Sequence, residues 1–403
     1  MITPFALNLR HLRALAAIVA HRNVSAAAEA VSLSQPALTQ GLAKLERQLG
    51  IPLFLRRTDG VHATPAGLVM AERATAALDH LAKAVRAMGR GGARGFARAD
   101  LLMTGTQLHA FLSLADAGSF AAASARTGIT QPALHRAVRD LEQLCGIALD
   151  ERTGRGLTIT AAGRRLARGI RLAAAEIAAA ISEVSPDPGV GTRIAIGAMP
   201  LSRALLLPAA IAALMRNEPR VTIDVREGSW RELVEPLRDG AIDLMVGALR
   251  DPPPSGLVQE PLFVDRLIVV GRAGHPLLGG PPPTLDDYRR YGWVIGQPDT
   301  PLRRHWQRLF EGGPTPAAPL ECGSVMVIRG VLGQSDLLTL LSADQVAVEI
   351  ANGMLALIGA LPVHGERTIG LTTREGWRPT AVQTRFLGLL RAAVEDRRLQ
   401  EIE

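Results

Sequence analysis

Residues Ser34-Gln35-Pro36-Ala37-Leu38, followed by Leu45-Glu46 and Gly50-Ile51, return as Thr130-Gln131-Pro132-Ala133-Leu134, followed by Leu141-Glu142 and Gly146-Ile147. Every match falls at one offset (131 − 35 = 96, 142 − 46 = 96, 163 − 67 = 96), and no gap is needed between Leu12 and Gly67. A fixed-period repeat constrains a fold more than any single motif, because each copy must be one structural unit. The 403 residues therefore carry one module twice. The length allows two or three cores at about 100–200 residues per domain.

Charge is concentrated where the repeat is. Residues 1–192 hold 22 Lys and Arg against 14 Asp and Glu, a net of +8, whereas 193–403 hold 23 against 24. The excess of the +7 chain thus lies wholly in the repeat half, as suits a surface that meets phosphate. Charge alone would equally serve solubility, so the motifs have to decide.

Cys145 and Cys322 lie in different halves, each in an apolar stretch, without metal-ligand spacing to His or to each other. They read as buried free thiols of a reducing compartment, with no metal and no cofactor. The start Met1-Ile2-Thr3-Pro4 has neither a basic n-region nor an apolar h-region, and no run of about 18 apolar residues occurs. The expectation is a cytoplasmic protein without a membrane partner.

In the first copy Leu9, Leu12, Leu15, Ala16 and Val19 recur at helical spacing, giving a first helix with one apolar face. Ser25 is expected to cap a second helix, Ala26 to Ala30, before a tight turn at Val31-Ser32-Leu33. Ser34 is a natural N-cap for a third helix, with Pro36 in the first turn where its missing N–H has no intrahelical partner. Leu38, Leu42, Leu45 and Leu49 must then face the core, leaving Gln35, Thr39, Gln40, Ala43 and Lys44 outward. A helix so exposed fits the major groove, with its first side chains at base edges and its first amides near phosphate. Residues 53–64 read as a two-stranded wing turning at Asp59-Gly60, with Arg56 and Arg57 along the DNA backbone.

The second copy repeats the plan, with Leu108, Phe111, Leu112 and Ala115 on the first helix and Ala121 to Arg126 on the second. Thr130 caps the third, whose outward set Gln131, His135, Arg136 and Arg139 is more basic. Its wing runs Arg152-Thr153-Gly154-Arg155-Gly156, with Arg152 and Arg155 as backbone contacts. Asp150 stands where the first copy has Phe54, and since an unpaired buried charge is expensive, the second wing is expected to be repositioned.

Both copies resemble the winged helix-turn-helix of LysR-type transcriptional regulators. The resemblance rests on Leu45-Glu46, Leu49-Gly50, Phe54, Arg56 and Thr64-Pro65-Ala66-Gly67 in the first copy. In the second it rests on Gly118-Ser119-Phe120, Leu141-Glu142, Arg152 and Thr160-Ala161-Ala162-Gly163, with Cys145 departing from Leu and Asp150 from Phe. A usual member has one such domain, so the duplication is itself a departure. In the family the Ala-rich helix after the wing pairs between subunits. Here Leu68, Ala71, Thr75, Leu78, Leu81 and Val85 form one such stripe, and Leu166, Ile170, Ala173, Ile177 and Ile181 another. Each stripe either seeks a partner or packs on its own winged domain.

From Thr192 onward short apolar strands alternate with helices, which predicts an α/β sheet. The expected elements are strands at 193–198, 221–225, 244–247, 266–271 and 293–295, with helices at 202–215, 230–239, 302–310 and 325–332. A last strand near Ile369 and a helix over 379–399 close the chain. Leu207-Pro208, Gly240-Ala241-Ile242-Asp243-Leu244 and Gly274-His275-Pro276-Leu277 resemble the effector domain of the same family, a two-lobed fold like periplasmic solute-binding proteins. The resemblance implies a ligand between the lobes near helix N-termini, favouring an anion. It places Met199, Pro200, Ser202, Arg203, Leu249, Arg250, Thr300 and Ser324 at that cleft.

The expected organisation is a first winged helix-turn-helix with its linker helix (1–88), a Gly/Arg-rich flexible linker (89–104), a second winged unit with linker helix (105–184), a hinge (185–192) and an effector domain (193–403). The implied function is DNA-binding transcriptional regulation under a small anionic effector. The implied partners are double-stranded DNA, the effector, further copies of the chain as homodimer or homotetramer, and RNA polymerase. No Ser-His-Asp or paired-carboxylate constellation stands out, and His275 and His305 lie apart, so an enzyme is not expected. An architectural DNA-bridging protein, and a regulator in which one copy is a protein-interaction module, remain as alternatives. Charge nominates the first copy for that lesser role and Asp150 the second.

Overall fold

The structure, a computed structural model, describes residues 2–57, 60–89, 96, 98–153, 156–185, 192–199, 206–298, 300–361 and 366–400. Two compact units divide it: Met1–Arg193 with Arg220–Thr222 and Arg238–Ala241, and the remainder.

In the first unit, α1 (Leu9–His21), α2 (Val24–Ala30), α3 (Gln35–Leu49), the ribbon β1 (Phe54–Arg57) and β2 (Gly60–Ala63), and the long α4 (Pro65–Ala87) form one copy. A short α5 (Ala99–Leu102) leads to α6 (Gly105–Ala117), α7 (Phe120–Thr127), α8 (Gln131–Cys145), β3 (Asp150–Thr153), β4 (Gly156–Ile159) and the long α9 (Ala161–Val184). Leu38, Leu42, Leu45 and Leu49 are buried on α3, as Leu134, Val138, Leu141 and Cys145 are on α8. Each buried leucine contributes about 1.5–3 kcal/mol, so turning either helix about its axis would forfeit several at once. That is what fixes the outward face.

Two local expectations are corrected. Asn23, not Ser25, caps α2, its side-chain oxygen accepting from Ser25 N and Ala26 N; Ser25 lies in the first turn. Residues 98–104, expected within a flexible linker, are partly built in: Ala99, Asp100 and Met103 are buried, and Arg13 donates to the carbonyls of Asp100 and Leu101. The rest of that linker, residues 90–95 and 97, and hinge residues 186–191 lie outside the described residues.

The long helices α4 and α9 pack against each other and each also packs on its own copy. The α9 stripe is the expected one, with Leu166, Ile170, Ala173 and Ile177 buried, but that of α4 differs. Leu68 is 52% exposed and Thr75 is exposed, whereas Ala74, Ala77 and Ala84 are buried with Met70 and Leu81. Small residues win because they let two helix backbones approach: a Cβ placed on Gly169 would stand 2.3 Å from the Ala84 Cβ and 3.0 Å from the His80 carbonyl oxygen. Arg73, 5% exposed, forks onto Glu183 through Nε (3.1 Å) and Nη2 (2.7 Å) and reaches Glu176 through Nη1 (3.0 Å).

These contacts make the pair antiparallel and locally two-fold. Exchanging copies turns Arg73 into Gly169 and Glu176 into His80, and those two also meet. A second couple obeys the same rule. The Phe5 ring stacks on His109 at 4.9 Å, and their equivalents, Leu101 and Arg13, are joined by the Arg13 bond to the Leu101 carbonyl (3.1 Å). One core cluster runs through both copies.

In the second unit the order is β5 (Arg193–Ala198), α10 (Leu206–Asn217), β6 (Thr222–Glu227), α11 (Trp230–Arg238), β7 (Leu244–Ala248), β8 (Leu257–Arg272), α12 (Leu285–Arg289), β9 (Trp293–Ile295), α13 (Pro301–Leu309) and β10 (Leu320–Glu321). Then come α14 (Val325–Leu332), β11 (Leu338–Ser342), α15 (Ala343–Ala351), β12 (Leu355–Ala360), β13 (Glu366–Arg374) and α16 (Ala381–Gln400). The strands follow the order β10-β9-β11-β8-β13-β7-β5-β6, with β12 on β8. β8 is 16 residues long, not the six expected, and belongs to two lobes: Leu257–Arg266 pairs with β13, and Leu267–Arg272 with β11 and β12. At the crossing, Arg367 Nε donates to Asp265 Oδ2 (2.6 Å) and the Ser342 hydroxyl to Asp265 Oδ1, all three residues being buried. β11, α15 and β12 escape the sequence reading, because a buried apolar run such as Leu338–Ser342 carries no period of its own. Cys145 is buried, but Cys322 is only half-buried.

Candidate nucleic-acid interface and ligand cleft

The α3 face is assembled from its first turn. The Ser34 hydroxyl accepts from Ala37 N (3.3 Å) and the Ser34 carbonyl from Leu38 N (2.9 Å), while Pro36 has no N–H to satisfy. Gln35, exposed, donates through Nε2 to the Ser25 hydroxyl on α2, so its amide is oriented before any partner arrives. Gln40 and Lys44 are exposed and Thr39 half-buried along the same face. Burial first and the Lys44 charge second hold the His11 pKa below its ordinary value.

The α8 face is arranged differently. Thr130 occupies the N-cap position, but its side chain makes no capping bond. Gln131 and Arg136 are exposed, whereas His135 is half-buried, its ring stacked on Phe120 at 3.6 Å. Arg139 is exposed yet bound to Glu142 (2.6 Å) one turn on. Two of the four outward side chains therefore already have protein partners.

The second wing is not repositioned. Phe54 pairs with Ala63 and Asp150 with Ile159 in equivalent registers. Glu46 Oε1 accepts from Leu53 N and Phe54 N, as Glu142 Oε1 accepts from Leu149 N and Asp150 N. Asp150 is 7% exposed with Oδ1 unpartnered, and burial first, then the Glu142 charge, push its pKa up. Burial and the neighbouring carboxylate thus disfavour the charged form of Asp150, while the strand keeps the register of the first copy. Arg152 is exposed on β3 and Arg56 and Arg57 end β1; Asp59, Gly154 and Arg155 lie outside the described residues.

The copies also differ in their turns. Arg22 and Ser32 hold φ of 52° and 54°, and their equivalents are Gly118 and Gly128 at 72° and 71°. Left-handed backbone costs an L-residue roughly 1–2 kcal/mol, so the first copy keeps side chains there against strain that the second avoids.

In the second unit Met199 is buried in the core of the first lobe, beside Gly247, and is not a cleft residue; Pro200, Ser202 and Arg203 lie outside the described residues. Leu249 donates its N–H to Thr368 O (2.9 Å) and packs on Gly370. Arg250 is locked at its backbone by both ends of the Gln259 amide (3.0 and 2.8 Å) and lays its guanidinium 5.1 Å over the Trp230 ring. Burial and then the charge of Arg304, on α13 of the other lobe, lower its pKa. The positive charge of Arg304 thus acts on Arg250, and among the described residues neither is paired to a carboxylate. Thr300 caps α13, accepting from Arg303 N (3.3 Å) while donating to Gln297 O (2.7 Å). Exposed Ser324 caps α14, accepting from Val327 N (3.5 Å). Trp230, Gln259 and Arg304 are absent from the sequence expectation, because only tertiary folding gathers them. Beside the cleft, Arg303, Trp306, Phe310 and Glu321 line an open hollow of about 480 Å³.

Among the described residues no helix is long and apolar enough to cross a membrane, and no group of His, Cys, Asp and Glu could hold a metal. The family model described as LysR substrate binding domain matches residues 188–395, and that described as bacterial regulatory helix-turn-helix protein, lysR family, matches 9–68 and 106–164. The HTH-type transcriptional regulator GalR of Pseudomonas putida is 32% identical over 396 residues, 96% of this chain and 98% of its own. PcaQ of Agrobacterium fabrum, also an HTH-type transcriptional regulator, is 27% identical over 71% of this chain and 93% of its own. Among solved structures, ArgP from Mycobacterium tuberculosis aligns with TM-score 0.58 and 22% identity over 72% of this chain and 97% of its own. A full-length OxyR variant from Pseudomonas aeruginosa aligns with TM-score 0.54 and 22% identity over 73% of this chain and 95% of its own.

Proposed function

Since the chain belongs to the LysR family of bacterial DNA-binding transcriptional regulators with a substrate-binding domain, whose members here are regulators and not enzymes, we propose that it is a cytoplasmic regulator with two tandem winged helix-turn-helix heads and an anion-responsive effector domain. The observation that carries the reading is the pair of outward polar faces on α3 and α8, each opened by a Gln-Pro first turn. Gln35, Gln40 and Lys44 serve one head, and Gln131, Arg136 and Arg139 the other, with Ser34, Thr39, Thr130 and His135 at their edges. Arg56, Arg57, Arg152 and Arg155 follow the phosphates.

A small carboxylate between the lobes is supported by Arg250 and Arg304, two cations whose mutual repulsion an anion would relieve. Thr300 and Ser324 lie at helix starts that favour the same charge. Ligand binding acts by favouring one lobe arrangement, which requires unequal affinity for the arrangements. The chain self-associates, and RNA polymerase is the partner through which its occupancy is read.

Footprinting on the gene's own upstream DNA tests this. Removing the first copy outright would strip α4 from α9, so point changes are cleaner. Gln40→Ala with Lys44→Ala should shorten protection at one end, and Gln131→Ala with Arg136→Ala at the other. Protection unaltered by the first pair would make that copy a protein-interaction module.

A further inference from the structure

We propose that Arg73, Glu176 and Glu183 form a pairing lock that commits the long helix of one copy to that of the other within one chain, so that a single chain presents two unlike heads to an operator with unequal, inverted halves. The proposal rests on the reading that both heads bind DNA.

The lock is legible in what the local two-fold does not repeat. Along α4 the three positions are Arg73, His80 and Ala87; their equivalents on α9 are Gly169, Glu176 and Glu183. On one side of the axis Arg73 meets both carboxylates; on the other, Gly169 meets His80 and Ala84. Two α4 helices paired together would set each buried Arg73 against His80 and Ala87, with no carboxylate. Two α9 helices would leave Glu176 and Glu183 at each end facing Gly169, with no cation. Only the mixed pair satisfies all three charges, and a buried charge without its partner is strongly unfavourable. Specificity here comes from what the wrong pairs lack.

The chain's own route favours pairing within it. The segment Pro4–Ala6 of the first copy lies on α6 and α9, and Arg13 holds the carbonyls of Asp100 and Leu101. The first copy thus grips both the second copy and the segment that leads into it, and a tethered partner outcompetes a free one. Two-fold related heads read inverted half-sites. The heads differ at Gln40 against Arg136 and at Ala43 against Arg139, so the halves differ too.

Charge reversal separates pairing within a chain from pairing between chains. Full-length Arg73→Glu, Glu176→Arg/Glu183→Arg, the triple variant, and co-expressed mixtures of the first two are compared by thermal unfolding and by gel shift on the upstream DNA. Each partial reversal should lower the midpoint and weaken DNA binding by on the order of tenfold or more. The triple variant should recover both, and the mixture neither. Recovery in the mixture would place the pairing between chains, and undiminished midpoints would remove the lock. Should a reversal not fold, Glu176→Gln/Glu183→Gln keeps the shape and should still lower the midpoint; no shift overturns the proposal. If wild type melts as expected but binds no DNA, the reading of the heads fails while the melts still decide the lock. Operators rebuilt with two left or two right halves should bind about tenfold more weakly than the natural one, and equal binding would refute unequal halves.

Discussion

Arg250 holds its guanidinium 5.1 Å from the centroid of Trp230, and burial first, then the charge of Arg304 on α13, lower its pKa. A stacked guanidinium keeps its edge donors free for a planar anion. Arg250→Ala should weaken binding of the carboxylate effector by about ten- to a hundredfold, since hydrogen bonds to charged groups contribute roughly 1.5–3 kcal/mol. Arg250→Lys should not restore it. Calorimetric titration against a panel of small carboxylates checks this, and equal affinities would reject an anion site.

Arg136 and Arg139 should respond differently. Arg136 is exposed without a carboxylate partner among the described residues, so Arg136→Ala should weaken DNA binding and lower the salt slope by about 1. Arg139→Ala also releases Glu142, which holds the amides of Leu149 and Asp150. Salt titrations together with melting curves separate the two, and a stable but DNA-weakened Arg139→Ala would contradict the second role.

Gln35→Ala should reduce operator affinity without unfolding the protein, and Ser25→Ala should reproduce part of the loss, because it frees an amide that α2 now orients. Footprint titration decides; an unchanged affinity in both would count against base reading by the first copy.

Asp150 carries a raised pKa through burial and the Glu142 charge. The folded state therefore binds this proton more tightly, a stabilisation complete below the ordinary value of 3.8 and lost as pH rises through the folded one. Asp150→Asn should raise the melting midpoint at pH 7 and show a smaller gain near pH 4. An equal gain at both would exclude the carboxyl as the source.

Gly169→Ala sets two effects against each other. Helix propensity favours alanine by about 1 kcal/mol, but its Cβ would stand 2.3 Å from that of Ala84. The overlap should win and lower the midpoint. Gly388, on α16, is the control: a Cβ there would meet nothing within 4 Å, so Gly388→Ala should show the propensity gain alone. A midpoint raised equally by both changes would show that α4 and α9 separate readily.

Legibility follows physical cause. The faces of α3 and α8 are readable because four large apolar residues must point one way, and the helix starts because Ser34, Thr64 and Thr160 sit at N-caps. The α4 stripe misleads because periodicity weighs large residues, while two close helices select small ones and leave Leu68 outside. Met199 falls elsewhere than expected for a related reason: a residue just past a strand can still complete that strand's core. Trp230, Gln259 and Arg304 are far apart along the chain and leave no local trace.

Because α4 and α9 belong to one polypeptide, their association is a unimolecular step. Its extent does not change with the number of molecules in a cell, and dilution cannot separate the copies. Ribosomal synthesis fixes their ratio at one to one, and each head is free to accumulate substitutions that its counterpart need not share.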